Sequence, residues 1–204
     1  MITMNDNNNP IEHFQKWFYE IDKNHPEEET NAMLLSTIGL DGFPKSRIVL
    51  LKRFTWEGFI FFTNYNSEKG KAIENNNNVC INFNWNISGR EVLILGKVKK
   101  IAKNLSEGYF DSRPEASKLS AWVSHQSDII SSRTILENRL KKYEIKFKNK
   151  AIPKPKYWGG YIIKPSQIEF IETHELQGYK TVINYKLQSD YNWSKKISYT
   201  RINN

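Results

Sequence analysis

The sequence predicts a β-rich α+β protein in which tightly spaced antiparallel strands form a small closed or partly closed barrel, with the helices outside it. Two patterns favour this fold. Short apolar or alternating segments are separated by turn signals such as Asp41-Gly42 and Ser88-Gly89, which is typical of consecutive antiparallel strands. Other stretches carry apolar residues three and four positions apart, which indicates separate helices.

The first hundred residues predict two helices and five strands. Asn9 and Pro10 are typical of an N-cap and a first helical position, and apolar residues recur at helical spacing from Ile11 to Ile21. Ser67 is expected to cap a short helix over 67–74. Strands are predicted at 32–38, 47–52, 59–63, 79–85 and 90–100.

The second half predicts three helices and four strands. Two short helices are expected on either side of Arg113-Pro114, and a longer one follows the stripe Leu136, Leu140, Tyr143 and Phe147. The predicted helices cover 105–111 and 116–123 and the stripe before Pro153, and the strands cover 157–163, 167–172, 181–187 and 193–202. Residues 1–9 are expected to be a disordered tail, and 10–204 a single domain.

Composition limits the class of protein. One cysteine, Cys80, cannot form an intramolecular disulfide, and this fits a reducing compartment. No signal peptide is visible and no apolar run approaches the ~20 residues of a membrane helix, so we expect a cytoplasmic protein without membrane contact. The net charge of +8 suggests an anionic partner, which could be nucleic acid, a membrane surface or a phosphorylated small molecule; solvated surface lysines would give the same excess.

Motifs of several common chemistries are missing from the sequence. The four histidines share no metal-ligand spacing, so no metal site is expected. No P-loop, Gly-x-Ser-x-Gly or Gly-x-Gly-x-x-Gly motif occurs, which leaves ATP use, nucleophilic hydrolysis and a Rossmann site without support. No RNA-recognition motif or basic helix block favours nucleic acid binding.

Four groups of polar residues stand out instead. Arg47 and Lys52 flank an apolar strand, where they either end the strand in water or face a ligand. Ser67 and Lys69 lie at a predicted helix start, which suits a phosphate, although most serine caps bind nothing. The other two groups are Tyr109, Arg113 and Ser117, which could grip a phosphate or simply end a helix, and the polar segment 122–127.

Eight segments, in order along the chain, resemble the pyridoxamine 5'-phosphate oxidase family. The likeness extends from about Pro10 to Phe170 and resumes weakly towards the C-terminus. The segments are Asn31-Ala32-Met33, Arg47 to Lys52, Phe62-Thr63-Asn64, Ser67-x-Lys69, Ile73-Glu74-Asn75-Asn76, Tyr109-Phe110-x-Ser112-Arg113-Pro114, Ala121-Trp122-Val123-Ser124-x-Gln126-Ser127 and Tyr157-Trp158-Gly159-Gly160.

This resemblance implies an FMN-binding split β-barrel with peripheral helices, and a homodimer that binds FMN at the subunit interface. It implies an oxidase that converts pyridoxamine or pyridoxine 5'-phosphate to pyridoxal 5'-phosphate, with O2 as acceptor and H2O2 as by-product. The flavin would take the hydride, while the protein would position and polarise the reacting groups. No catalytic side chain is assigned.

The resemblance also implies roles for individual residues. Arg47 and Lys69 would bind the FMN phosphate, and Gln126 and Ser127 would reach FMN from the partner subunit. The implied cofactor-binding residues are Arg47, Ile48, Val49, Leu50, Leu51, Lys52, Phe62, Thr63, Ser67, Lys69, Glu91, Gln126 and Ser127. The substrate phosphate would be held by Lys52, Tyr109, Arg113 and Ser117.

The chain departs from the family pattern at three places. Glu68 stands where the family usually has arginine, and a carboxylate near a phosphate repels it unless its side chain turns outward. Glu91 stands where the family has glutamine. After Ile168-Glu169-Phe170 the family shows a tryptophan and then Arg-Leu-His-x-Arg, whereas this chain has Ile171 and then Leu176 to Thr181. The expected FMN site is therefore mostly present and the expected substrate site only half present.

The departures leave other functions open. An FMN-dependent oxidoreductase acting on a different cyclic substrate, as in phenazine biosynthesis, would tolerate the changed C-terminal segment. A non-catalytic flavin- or pyridoxal-phosphate-binding protein would use the same pockets without turnover. A basic nucleic acid binder is the remaining and least favoured class.

Overall fold

The computed structural model describes residues 9–124 and 132–202. The predicted tail therefore falls almost wholly outside the described residues. In addition to two single 3-10 turns, Asn86–Ser88 and Glu175–Gln177, the described residues form five helices and nine strands. In chain order these are α1 (Pro10–Asn24), β1 (Ala32–Ile38), β2 (Pro44–Leu50), β3 (Arg53–Thr55), β4 (Gly58–Asn64), α2 (Glu68–Asn75), β5 (Asn78–Trp85), β6 (Arg90–Lys100), α3 (Lys103–Ser112), α4 (Glu115–Val123), α5 (Arg133–Phe147), β7 (Trp158–His174), β8 (Tyr179–Ser189) and β9 (Asn192–Arg201).

The strands form one antiparallel sheet that curls into a half-barrel, as the β-rich prediction requires. Its strand order is β2-β1-β5-β6-β7-β4-β3, and β8 and β9 branch from β7 as a hairpin. Alternate residues of β5 are buried, because one face of the strand lines the core and the other faces outward. The predicted alternation at Val79, Ile81, Phe83 and Trp85 is confirmed.

The two strands predicted at 157–163 and 167–172 are wrong as separate elements, because both belong to the 17-residue β7. Pro165 lies between the two predicted segments. In the structure it lies at a β-bulge, where the register against β6 shifts between Leu95 and Gly96. β7 also exchanges neighbours here: it pairs with β4 up to Ile163 and with β8 from Gln167 onward. A proline is tolerated at such a point because no ladder requires its missing N–H.

Three smaller differences have local causes. β2 begins at Pro44 and ends at Leu50, because the Lys52 N–H bonds to the Ile60 carbonyl rather than to β1. The short strand β3 was not predicted, since three residues carry no periodicity. The stripe predicted for α5 is only partly buried: Phe147 is 7% exposed and Leu140 38%.

Helix α1 closes the open side of the half-barrel. Its N-cap prediction is confirmed, because the Asn9 side chain accepts a hydrogen bond from the Ile11 N–H at 3.0 Å. Phe14 is fully buried and packs edge-on against Phe54 and Phe59, with ring centroids 5.2 and 4.9 Å apart. Aromatic contacts of this kind add roughly 1 kcal/mol beyond area burial.

His13 lies on the same helix and is held among rings. Its imidazole stacks on Phe170 with centroids 3.9 Å apart, and its Nδ1 is 3.4 Å from the hydroxyl of Tyr185. Burial is the main cause that lowers the pKa of His13 to about 4, and the positive charges of Lys195, Lys16 and Arg90 act in the same direction, against Glu172. The imidazole is therefore neutral in the folded protein at neutral pH.

Acid should loosen this contact. The unfolded chain takes up a proton on His13 near pH 6.5, and the folded chain does so only near pH 4, so the free energy of unfolding falls as the pH drops through this window. Partial exposure limits the effect to about 2 kcal/mol. We expect His13→Phe, which retains a stacking ring, to lose less stability than the wild type between pH 7 and pH 4.5 in urea unfolding. Equal losses in both proteins would show that folding does not lower the pKa of His13.

Candidate functional site

A set of cations and hydroxyl groups converges where β2 and β4 approach each other across the N-terminus of α2. We call it the anion cradle; it consists of Arg47 from β2, Thr63 from β4, and Ser67 and Lys69 from the start of α2. The cradle forms through contacts between segments that are distant in sequence. All four residues were among those singled out in the sequence.

Ser67 fixes the start of α2 as predicted. Its hydroxyl accepts from the Gly70 N–H at 3.3 Å and donates to the Asn64 carbonyl at 2.6 Å. Gly70 is needed beside it, because a Cβ at this position would collide with the backbone of Tyr65. The helix N-terminus therefore faces the cradle with its partial positive charge.

Lys69 brings a buried ammonium into the cradle. The residue is 7% exposed, and its Nζ donates to the hydroxyls of Thr63 at 3.2 Å and Ser67 at 3.5 Å. Burial, and next the charge of Arg47, lower the pKa of Lys69 to about 8. Within the described ranges no carboxylate lies within ion-pair distance of this ammonium. A bound anion would supply the missing countercharge.

Only one nitrogen of the Arg47 guanidinium is hydrogen-bonded to the described residues. Its Nη1 donates to the Thr37 hydroxyl and to the Lys45 carbonyl, both at 2.7 Å, which anchors the side chain against β1 and β2. Its Nε and Nη2 groups have no hydrogen-bond partner in residues 9–124 or 132–202. The free edge of a guanidinium is suited to bidentate binding of a phosphate or carboxylate.

Glu68, the expected source of repulsion, is paired with Lys45, although its charge still acts on Arg47 and Lys69. Its carboxylate accepts from the Lys45 ammonium at 2.6 Å, and Asp41 binds the same ammonium at 3.0 Å. Lys45 lowers the pKa of the Glu68 carboxyl and keeps it ionised but paired. The carboxylate that replaces the family's arginine is thus partly compensated by Lys45.

A second site lies on the other face of β4, where Phe62 points. A cavity of about 340 Å³ is lined there by Lys52, Phe62, Tyr109 and neighbouring residues of α3. The rings of Phe62 and Tyr109 stack with centroids 4.0 Å apart, and Trp158 lies parallel to Phe62 at 5.3 Å. Burial raises the pKa of the Tyr109 hydroxyl, which stays protonated and can donate a hydrogen bond.

Arg113 adjoins this aromatic stack. Its guanidinium lies 4.8 Å above the ring of Trp158, and burial lowers its pKa, opposed by Tyr109. The Nη1 atom is buried and has no hydrogen-bond partner among the described residues. A buried donor without a partner costs roughly 1–3 kcal/mol, so an anionic ligand at this position would be stabilising.

The remaining predicted residues are less closely grouped. Ile48 is 64% exposed and Leu51 is 3% exposed in the core, while Val49 and Leu50 are half-buried. Glu91 is bonded to the Asn82 side chain on the outer sheet face. Ser117 lies one turn after Arg113, without a side-chain hydrogen bond to the described residues, and Gln126 and Ser127 lie outside them.

Sequence reasoning missed two supports of the site. Lys45 was not considered, and no local pattern links it to Glu68, 23 positions away. The aromatic stack was also missed, although Tyr157-Trp158-Gly159-Gly160 was noted as a motif. The motif has a steric cause: a Cβ on Gly159 would meet the Tyr65 hydroxyl, and one on Gly160 would meet Phe62 and Ile101.

Within the described part of the chain, no group of three His, Cys, Asp or Glu side chains could hold a metal ion. No helix among those residues is long and apolar enough to cross a membrane.

Comparison with known proteins identifies relatives. Residues 23–147 match the family model described as pyridoxamine 5'-phosphate oxidase. The pyridoxine/pyridoxamine 5'-phosphate oxidase of Flavobacterium psychrophilum is 55% identical over 184 residues, which cover 90% of this chain and 86% of that protein. The protein of the same name from Flavobacterium johnsoniae is 54% identical over 185 residues, covering 91% and 86%.

Solved structures share the fold at lower identity. PhzG from Burkholderia lata, crystallised with tetrahydrophenazine-1-carboxylic acid, superposes with a TM-score of 0.86 at 21% identity and covers 95% of this chain and 94% of its own. A pyridoxamine 5'-phosphate oxidase-related, FMN-binding protein from Nostoc punctiforme gives 0.71 at 14% identity, with 90% and 95% covered. The split-barrel prediction for the fold is thereby confirmed.

The cradle predicts a pH-dependent affinity for phosphate monoesters. Only the protonated Lys69 attracts the anion, so the affinity should fall as the pH rises through about 8, by about tenfold between pH 7 and pH 9. Isothermal titration with a phosphate monoester would measure this. Lys69→Met should bind weakly at both pH values, and Lys71→Met, an exposed lysine of the same helix, should behave as the wild type. An equal fall in Lys69→Met would assign the pH dependence to another group.

Proposed function

Because the chain belongs to the pyridoxamine 5'-phosphate oxidase family, we propose that it is an FMN-dependent oxidase that converts pyridoxamine or pyridoxine 5'-phosphate to pyridoxal 5'-phosphate. O2 is the acceptor and H2O2 the by-product. The proposal is supported mainly by two separate sites on opposite faces of β4, each with cationic side chains suited to binding a phosphate. Thr63 belongs to the cradle on one face, and the adjacent Phe62 lines the aromatic cavity on the other.

The cradle fits the phosphate of FMN. Arg47 offers a free guanidinium edge, and Lys69 offers a buried ammonium without a carboxylate among the described residues. In this proposal the strand from Ile48 through Val49, Leu50 and Leu51 to Lys52 lies along the flavin. Phe62, Thr63 and Glu91 approach it, as do Gln126 of the partner subunit and Ser127 of the partner subunit.

The cavity fits the substrate phosphate. Lys52 and Tyr109 line it, and Arg113, whose buried Nη1 lacks a partner in the described ranges, lies nearby over the ring of Trp158. With Ser117 these groups would fix the substrate for reaction. FMN, when bound, would accept the hydride that the substrate carbon loses, and O2 would take up the two electrons and two protons as H2O2. From pyridoxamine 5'-phosphate, water would then hydrolyse the resulting imine to the aldehyde and release ammonia.

We further propose a cytoplasmic homodimer built from a single domain. The outer face of the half-barrel supports the dimer, because it exposes apolar side chains that a soluble monomer would rarely present together. Leu34 is 39% exposed, Ile48 64% and Leu95 38%. A second copy covering this face would bury them and complete the cofactor site.

One observation favours a second candidate, an FMN-dependent oxidoreductase on another cyclic substrate. β7 ends at His174, whose Nε2 lies 3.0 Å from the Thr181 hydroxyl and whose ring packs on Tyr179 at 4.7 Å. The turn from β7 to β8 closes on Gly178, with φ +72°. No arginine stands where the family pattern has two, so a substrate without the same polar contacts would suit this segment better. A binding protein without turnover is the third possibility.

The visible spectrum of the purified protein tests both candidates. A yellow protein that bleaches on anaerobic addition of pyridoxine 5'-phosphate would support the proposed oxidase. A yellow protein that stays yellow with this substrate would move the assignment to another substrate or to a binding role. A colourless protein that takes up no added FMN would refute both.

Two alanine variants test the assignment of the two phosphates. Arg47→Ala should weaken FMN binding by tenfold or more, roughly what one lost charge-assisted contact costs, with the KM for substrate little changed once FMN is saturating. Arg113→Ala should leave FMN affinity intact and raise the substrate KM by a similar factor. Fluorescence titration of FMN and steady-state kinetics give the two readouts. An Arg113→Ala protein that loses FMN but keeps its substrate affinity would reverse the assignment.

A further inference from the structure

A basic groove crosses the outer face of the sheet beside the aromatic cavity. Its centre is a row of directly paired residues: Lys99 of β6 opposes Ile162 of β7, Ile162 opposes Ile60 of β4, and Ile60 opposes Arg53 of β3. Directly paired residues point to the same face of a sheet. Two isoleucines therefore form an apolar floor with a cation at each side, about 14 Å apart between backbones.

The groove has more basic than acidic side chains among its described lining residues. Its volume is about 510 Å³, and Glu57 is the single carboxylate among its described lining residues. Glu57 lies 3.8 Å from Lys164 and is committed to that ion pair. Arg53 and Lys99 have no carboxylate partner in the described ranges. The groove thus presents two cations to a ligand over a floor that excludes water.

The groove is continuous with the cavity that holds the proposed substrate phosphate. The two volumes share four wall residues. Lys99 belongs to the groove alone, and Lys52 and Tyr109 belong to the cavity alone. The shared residues are Arg53, Ile60, Ile101 and Leu105.

An aromatic surface stands at one end of the groove. Trp56, in the turn between β3 and β4, lines the groove and is 63% exposed. Its ring meets Tyr191, in the turn between β8 and β9, edge-on with centroids 4.8 Å apart. The indole face is thereby held in place yet accessible, which suits stacking with a flat ligand ring.

We propose that the groove binds the distal part of a phosphate-extended ligand, whose first phosphate occupies the adjoining cavity. The distal part carries a second anionic group, held by Arg53 and Lys99, and a flat ring that stacks on Trp56. The ligand class is a pyridoxal joined to a nucleoside through a diphosphate, whose first phosphate is the one in the cavity. This inference rests on the proposed function, because the first phosphate is placed in the proposed substrate site.

The test compares two ligands on the FMN-saturated full-length protein. Pyridoxal 5'-phosphate fills the cavity alone, and adenosine diphosphopyridoxal adds a second phosphate and an adenosine. Lys99→Gln removes a charge that only the groove contains. Lys97→Gln is the matched control, since Lys97 is an exposed lysine of the same strand that lines a different cleft. Equilibrium dissociation constants are measured for both ligands with each protein.

We expect the extended ligand to bind the wild type more tightly than pyridoxal 5'-phosphate. Lys99→Gln should weaken only the extended ligand, by about three- to fivefold, as for one exposed ion pair, and Lys97→Gln should weaken neither. Equal affinities of the two ligands in the wild type, or an unchanged affinity of the extended ligand in Lys99→Gln, would overturn the inference.

The failure of the proposed function looks different. If pyridoxal 5'-phosphate does not bind but the extended ligand does, with dependence on Lys99, the groove is an anion site and the substrate assignment is wrong. If adenosine 5'-diphosphate alone binds as tightly as the extended ligand, the groove acts independently of the cavity and the connection proposed here is wrong.

Discussion

The pairing of β7 with its neighbours is the constraint on which the rest of this structure depends. One strand of 17 residues pairs with β6 along nearly its whole length, and changes its other neighbour from β4 to β8 at the bulge beside Pro165. This exchange opens the sheet into a half-barrel rather than a closed one. It places β4 so that one face completes the anion cradle and the other lines the aromatic cavity. Both proposed sites and the basic groove follow from the position of β4.

Local patterns predicted most elements because each element is determined by nearby residues. The caps at Asn9 and Ser67 and the alternation in β5 depend on neighbouring residues alone, and all three are confirmed. The merged strand β7 could not be predicted, because whether a proline ends a strand depends on what pairs beside it. The candidate site residues came mainly from the family resemblance. Which of these residues lie next to each other, above all Arg47 and Lys69, is decided by the tertiary structure and cannot be predicted from residue spacing.

The two proposed sites use positive charge in different ways. In the cradle, Lys69 is buried with hydroxyl groups as its described partners, so the protein bears the cost of desolvating a cation before any ligand arrives. Near the cavity, Arg113 keeps its charge over the face of Trp158, where the ring stabilises the cation while Nη1 has no partner among the described residues. A +8 chain thus owes part of its charge to preformed sites, and the remaining lysines are mostly exposed.

The ion pair between Lys45 and Glu68 bears on the order in which this chain's substitutions could accumulate. An arginine at position 68, as in the family pattern, would set two cations against each other where the ammonium and carboxylate now lie 2.6 Å apart. Asp41 also pairs with the Lys45 ammonium, at 3.0 Å, so Lys45 keeps an acidic partner when position 68 changes, whereas Glu68 loses its pairing with Lys45 when position 45 changes. The effects of substitutions at the two positions should therefore not add, and a change at position 45 would cost more before a change at position 68 than after it.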